Sequence, residues 1–373
     1  VSHSLPTLAP PLCRVRQRRL LDLMSARGID RVVVVTPEHV QWLTGFRPHR
    51  LMSAAVSLDV DGRCVLSAPN TIPGDVAADE MVTFEAQRLA TLRQDQPAAA
   101  IEALARATGP AGSLRLGVEG SALGPALCRL LGVTDPDRLE DVEADLQRLR
   151  RKKESDELAM IRHAVAATEA MYAAAREVIA PGVSELTVFS RLHAAAVEVL
   201  GEPPTALGND FCCGSPGGPP RPRAIEAGEL YILDLGPGYR GYHADNCRTF
   251  AVNGAPTDVQ QQAWEAIVPV LRHVEATVRP GVSCRRLFED AKRMLDEVRP
   301  GGFFHHLGHG IGLYPHEAPH LNPNWDDVFE EGDVFTAEPG LYGDDLRGGI
   351  RLEEDYVVTA TGVEKLTSFP LEL

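Results

Sequence analysis

The chain has 373 residues, 44% hydrophobic and 24% charged, long enough for two domains with a full core each. Its net charge of -15 is unevenly spread: residues 1–150 hold 17 Lys+Arg against 18 Asp+Glu, leaving 20 against 34 for the remainder. So acidic a chain excludes sequence-independent nucleic-acid binding, which rests on basic surface, and no apolar run approaches the roughly 20 residues of a membrane-spanning helix.

The opening segment VSHSLPTLAPPLC lacks a continuous apolar core after a basic start, so no secretory signal is expected. Arg14, Arg16, Arg18 and Arg19 form the one basic cluster, which reads as a solvated helix face. Leu20, Leu21, Leu23 and Met24 give that helix an apolar stripe, and Gly28 stops it. The β-branched run Val32–Val35 predicts a buried strand. Strand signals return at Ala54–Leu58 and Cys64–Leu66, joined by an Asp61-Gly62 turn, a hairpin signal. Helices over Pro97–Thr108 and Gly124–Leu131 bracket a strand at Leu114–Val118. The first 148 residues thus read as an α/β domain.

Between Val142 and His163 the chain becomes a charged helix, DVEADLQRLRRKKESDELAMIRH, and the second domain is expected over residues 149–373, its first helix N-capped by Ser155. Pro181-Gly182 ends that helix, and another runs from Ser184-Glu185 to Leu200. Gly and Pro are dense from Gly214 to Arg223, which predicts a loop. Helices over Asp258–Thr277 and Cys284–Val298 alternate with acid-bearing strands, an α+β pattern with an internal near-repeat. Seven cysteines, odd in number and without a CxxC pair, read as free thiols of a reducing cytosol.

Five residues in the second domain carry the chemistry. Asp234 and Asp245 lie in YILDLGPGYRGYHADNCRTF, His309 in HHLGHGIGLYPHE, Glu338 in FTAEPGLY and Glu353 in GIRLEEDYVVT. Asp234 ends an apolar strand, and Gly236 turns the chain back so that Asp245 returns beside it. Either Asp alone reads as a turn former or strand-end cap. The glycines around His309 allow close backbone approach to a metal or substrate, and Arg351 and Glu353 alternate with Ile350 and Leu352 on one strand face. Carboxylates gathered in a cleft raise one another's pKa and resist burial together, and two divalent cations resolve that conflict. Hard carboxylate oxygens with one imidazole suit Mn, Co, Zn or Fe, whereas a structural zinc favours four Cys/His ligands.

These stretches resemble the pita-bread metallopeptidases: Xaa-Pro dipeptidase, aminopeptidase P and methionine aminopeptidase, with creatinase as a relative. RRLLDLMSARGID and VQWLTGF resemble the amino-terminal domain of the proline-specific branch, which methionine aminopeptidases lack. The resemblance implies an α/β amino-terminal domain followed by an α+β pita-bread catalytic domain, a homodimer, and two divalent ions per chain, foremost manganese. It also implies ligand roles: Asp234 on one metal, His309 and Glu338 on the other, Asp245 and Glu353 bridging both. Glu338 then shuttles the proton, His316 faces the scissile carbonyl and His305 the prolyl side, although either histidine also reads as a core or supporting group. His306 and His320 read as bystanders. Arg351 is expected to orient a carboxylate on the substrate side. Arg47 and Arg50 in GFRPHR are candidates for the free carboxylate of a dipeptide, though a solvated loop accounts for them equally well.

One departure stands out. Proline-specific members carry a further histidine in the loop before the DLG strand, and CCGSPGGPPRPRAIEAGEL has none. Cleavage of the bond before proline in a small peptide is the expected reaction, with a dipeptidase preferred over aminopeptidase P. A non-peptide C–N hydrolase like creatinase and a non-catalytic binding protein are the rival readings; both fit poorly with retention of all five ligands.

Overall fold

The computed structural model describes residues 5–373, and the first four residues of the VSHSLPTLAPPLC segment lie outside the described residues. The chain divides at Arg150–Arg151 into an amino-terminal unit from Thr7 and a second unit running to Leu373, which also takes in Leu5 and Pro6.

The amino-terminal unit begins with the helix Pro10–Arg27, stopped by Gly28 at φ 64°, a left-handed conformation that glycine adopts without strain. Arg31–Val34, all four residues buried, follows as a central strand of a six-stranded sheet. The expected hairpin forms, Ala55–Asp59 pairing antiparallel with Cys64–Pro69. Leu116–Val118 runs parallel to Arg31–Val34 on the other side, and the helix Gln96–Thr108 closes one face through Ile101 and Leu104 over Val33, Ala55 and Val65.

In the second unit the charged helix expected across Val142–His163 is interrupted. One helix ends at Arg150 and the next begins at Ser155. The N-cap is Glu154 rather than Ser155: the Glu157 carboxylate accepts from the Glu154 amide at 2.9 Å in a capping box. Arg151 forks onto Asp333 at 2.9 and 2.6 Å, and Asp333 is fully buried, so the interruption anchors this end of the unit to its sheet. Two helix pairs follow, Ser155–Val178 with Glu185–Leu200 and Asp258–Thr277 with Cys284–Asp296. Between them lie a three-stranded antiparallel sheet, Asn246–Ala251, Leu230–Leu235 and Asp210–Cys213, and a five-stranded one centred on Val334–Ala337. The core of the later half joins Ile267, Leu271 and Leu287 to Phe335, Ile350 and Tyr356. No helix among the described residues is long and apolar enough to cross a membrane.

At the carboxy-terminal ends of Arg31–Val34 and Leu116–Val118 lies a buried polar knot. Glu119, fully buried after Leu116–Val118, accepts from the Val35 and Thr36 amides and from the His39 ring, whose other nitrogen meets Arg150. Burial works to raise the Glu119 carboxyl, but the hydrogen bonds from His39 and the two amides outweigh it and hold the group below the ordinary glutamate range. A depressed folded-state pKa stabilises above the ordinary glutamate value, and that contribution is lost as pH falls through the folded value. Glu119→Gln is therefore expected to lower stability at neutral pH by about 1–3 kcal/mol. The difference from wild type should shrink in denaturant titrations taken toward about pH 3; an equal loss at both ends would mean that the charge is not what matters.

Candidate metal centre

Four separate stretches deliver the five ligand candidates to one cleft. Asp234 stands near the end of Leu230–Leu235, opposite Cys247, and Asp245 immediately precedes the partner strand Asn246–Ala251. His309 is the middle residue of the short strand Gly308–Gly310. Its flanking glycines serve neighbouring strands rather than the metal: a Cβ on Gly308 would lie 2.0 Å from the Thr336 carbonyl oxygen and one on Gly310 2.1 Å from that of Ala318. Glu338 follows Val334–Ala337, its amide donating to Leu307 O at 2.7 Å. Glu353 lies where the chain leaves the ribbon strand Gly348–Arg351 for the five-stranded sheet at Glu354, and its amide donates to Cys247 O at 3.0 Å.

All five are at least 92% buried. Burial first, then the neighbouring acids, pushes Asp245 and Glu353 well above their ordinary range, and Asp234 is raised as well although Arg351 opposes the shift. Glu338 goes the other way: burial opposes its charge, but the adjoining His306 and His309 rings outweigh it. Asp234 Oδ1 and both Glu353 oxygens are buried without a hydrogen-bond partner. A buried carboxylate oxygen in that state is costly unless something positive meets it.

The donor set fits such a group. Ligand atoms of Asp234, Asp245 and Glu353 lie within 4.8 Å of one another, as do those of His309, Glu338 and Glu353, so Glu353 belongs to both clusters. Asp245 also clusters with His309 and His316. His309 Nδ1 faces Gly310 O at 3.1 Å; a carbonyl only accepts, so Nδ1 carries the proton and Nε2 is left to ligate, 3.4 Å from Glu338 Oε1 and 3.7 Å from Asp245 Oδ2. Oxygen-rich ligands with one imidazole suit hard or borderline divalent cations.

The other expected residues have mixed fates. His316 packs face to face on His309, ring centroids 3.6 Å apart, and desolvation with the neighbouring His309 and His306 lowers it to about 4. It is therefore neutral near pH 7, with a ring N–H to offer. His305 is lowered to about 4 as well, by burial first and then by Arg351 and His306, which outweigh Glu338. Its Nδ1 donates to His306 O at 2.8 Å and its Nε2 accepts from Tyr342 Oη at 2.8 Å, so both nitrogens are engaged within the protein. Arg351 is also committed to the protein: Nη1 donates to Tyr342 Oη at 3.1 Å and Nη2 to Asp234 Oδ2 at 2.7 Å and to Asp210. The carboxylate it orients is that of Asp234. Arg47 and Arg50 are exposed residues of the amino-terminal unit, Arg47 donating to Gln41 at 3.1 Å. His320 stands opposite His309 in the strand register, but its ring is engaged by Asp327 and stacks on Trp325. His306, by contrast, is no bystander in position, since its Nε2 lies 2.9 Å from Glu338 Oε1. Its adjacency to His305 in HHLGH was a signal, but nothing local tells which of two neighbouring imidazoles turns inward. Asp210 and Tyr342 line the cleft too, and neither stood out in the sequence.

A buried cradle of four acids and one imidazole on an α+β unit defines a metal-dependent hydrolase. The chain matches metallopeptidase family M24 over residues 159–360 and the creatinase/prolidase N-terminal domain over residues 16–152. It belongs to metallopeptidase family M24, with a creatinase-type α/β domain ahead of a pita-bread catalytic domain. An Xaa-Pro dipeptidase of Pyrococcus furiosus is 28% identical over 365 residues, 96% of this chain and 99% of that one. The structure of an Xaa-Pro dipeptidase from Bacillus anthracis aligns with a TM-score of 0.81 at 25% identity, covering 97% of this chain and 99% of that one. That of an X-Pro aminopeptidase from Thermotoga maritima aligns with a TM-score of 0.77 at 22% identity, covering 96% and 98%.

Asp245→Asn tests the cradle, because it removes an anionic oxygen with little change of shape. The variant is expected to lose most of its bound metal, measured by elemental analysis of purified protein, and its activity. Full metal content with near-normal turnover would reject Asp245 as a ligand.

Proposed function

We propose that this chain is a two-metal Xaa-Pro dipeptidase, hydrolysing the peptide bond before a carboxy-terminal proline. The observation that carries the reading is the cleft of about 390 Å³ into which Asp234, Asp245, His309 and Glu338 all open, in a chain similar over nearly its whole length to an Xaa-Pro dipeptidase. Asp234 would hold one cation and His309 with Glu338 the other, with Asp245 and Glu353 shared. Bound there, divalent cations supply Lewis acidity and make water acidic enough to attack near neutral pH. Manganese is our assignment, on the oxygen-dominated donor set.

The chain's own residues then divide the work. Glu338 accepts the proton of the attacking water and returns it to the prolyl nitrogen as the C–N bond breaks. His316, neutral and at the cleft surface, donates its N–H to the scissile carbonyl oxygen as negative charge develops there. His305, held by Tyr342 and the His306 carbonyl, presents its ring to the prolyl side. Arg351 keeps Asp234 aimed. Arg47 or Arg50 would meet the free carboxylate of the dipeptide. All seven cysteines are buried thiols outside any disulfide, which supports a reducing, cytoplasmic setting, and the homodimer implied by the family resemblance is open to a sedimentation measurement.

A second reading, aminopeptidase P, has one observation in its favour. A further hollow of about 320 Å³ shares Pro216, Phe304 and Tyr342 with the metal cleft, which offers room for a longer peptide.

If Glu338 is both ligand and shuttle, Glu338→Gln should depress kcat much more than it raises KM; the reverse would place the shuttle elsewhere. Replacing Arg47 or Arg50 by Ala should cost about 1.5–3 kcal/mol on Xaa-Pro dipeptides, roughly a ten- to hundredfold drop in kcat/KM, with Xaa-Pro tripeptides little changed. Wild-type protein that cleaves tripeptides as well as dipeptides would favour aminopeptidase P, and cleavage of neither would overturn both readings.

A further inference from the structure

Asp210 lies outside the ligand set, and its position in the sheet is unusual. It stands directly opposite Asp234 in the antiparallel register, while Cys247 stands opposite Asp234 on the other side. Directly opposed residues share a face, so two carboxylates are brought together edge to edge, a pairing that destabilises a sheet by itself. Arg351 resolves it. One nitrogen, Nη2, donates to Asp234 Oδ2 at 2.7 Å and to Asp210 Oδ2, from an arginine only 7% exposed.

The second oxygen of Asp210 has a different task. Oδ1 accepts from the Gly218 amide at 2.6 Å, while Phe211 N donates to Gly218 O at 2.8 Å. A Cβ on Gly217 would come within 2.8 Å of Asp210 Oδ1, so the segment closes over the carboxylate only because that position is glycine. Pro216 and Gly217 of this segment line the metal cleft. It is the same stretch in which the loop histidine expected of proline-specific relatives is missing.

We infer that Asp210 is a positioning residue of the metal centre: by sharing the Arg351 guanidinium it keeps Asp234 available to a cation, and it pins the glycine-proline wall beside it. The physical reason is charge division. A guanidinium balanced by Asp234 alone competes with a cation for that carboxylate, whereas one divided between two acids leaves Asp234 with net negative charge to offer. Asp210 also adds its own charge directly beside Asp234. Both effects have the same sign, and both fall on the cation held by Asp234 rather than on the one held by His309 and Glu338. The inference rests on the two-metal reading.

The test is a titration of the metal-free, full-length chain with Mn²⁺, free ion being counted by electron paramagnetic resonance. Asp210→Asn, nearly isosteric and still able to accept from Gly218, is expected to leave one site unchanged and weaken the other by about ten- to hundredfold, the scale on which outer partners of metal ligands act. Asp210→Glu keeps the charge and is expected to retain both sites. Two wild-type-like sites in Asp210→Asn would overturn the inference alone, and equal weakening of both sites would do the same. A wild type that binds fewer than two Mn²⁺ would overturn the two-metal reading together with it.

Discussion

The structure depends on one electrostatic conflict: four carboxylates, Asp234, Asp245, Glu338 and Glu353, are buried against one another with too few protein donors to satisfy them. Asp234, Asp245 and Glu353 resist ionisation beside the other acids, and their raised pKa directions express that resistance, whereas the His306 and His309 rings hold Glu338 below its ordinary range. A fold selected for stability alone would replace such a cluster with apolar side chains. Its survival here ties folding energy to function, because the cleft reaches its intended charge state only when cations occupy it.

The surroundings manage that conflict by placing polar side chains and backbone donors against the acids. His306 and His309 engage Glu338, and Arg351 engages Asp234. Consecutive acids after Arg351 are sorted by the strand geometry. Glu353 joins the clustered ligand atoms, Glu354 pairs with buried Arg248 at 3.0 Å, and Asp355 accepts from the Asp245 amide at 3.3 Å. Arg248 in addition donates to the carbonyls of Phe369 and Pro370 at 2.6 and 3.0 Å, so the last turn of the chain is stitched to the floor of the metal centre. Disturbing the carboxy terminus would therefore be felt at Glu353 through a side chain that touches no substrate.

Rigidity on the opposite side has a different origin. The strand carrying His309 is squeezed between backbones at Thr336 and Ala318, where no Cβ fits. Close backbone packing of this kind holds an imidazole in place without long-range hydrogen bonds, and the Gly310 carbonyl then selects its tautomer. His305 is constrained by another chain, from Arg351 through the Tyr342 hydroxyl to the ring. The same guanidinium thus reaches a ligand candidate and, through Tyr342, His305, which makes Arg351 the hub of the cleft.

Much of this was readable from the residues alone, because chemical type and local pattern survive folding. The Asp61-Gly62 hairpin, the buried strand before Pro37 and the helices ending at Gly28 and Leu200 follow from turn chemistry and periodicity. The five ligand candidates were visible as acids and an imidazole in glycine- and proline-punctuated strands, and the tertiary structure gathers them into two triads that share Glu353. What the sequence could not disclose depends on which strand faces which. The helix break at Arg151 exists because Asp333, far along the chain, is there to receive the guanidinium. The inward turn of His306, the engagement of Arg351 with two acids and the opposition of Asp210 to Asp234 are matters of register and rotamer between distant segments. Local sequence determines which groups are available; only the folded sheet decides which of them meet, since that choice is made by contacts between separate segments of the chain.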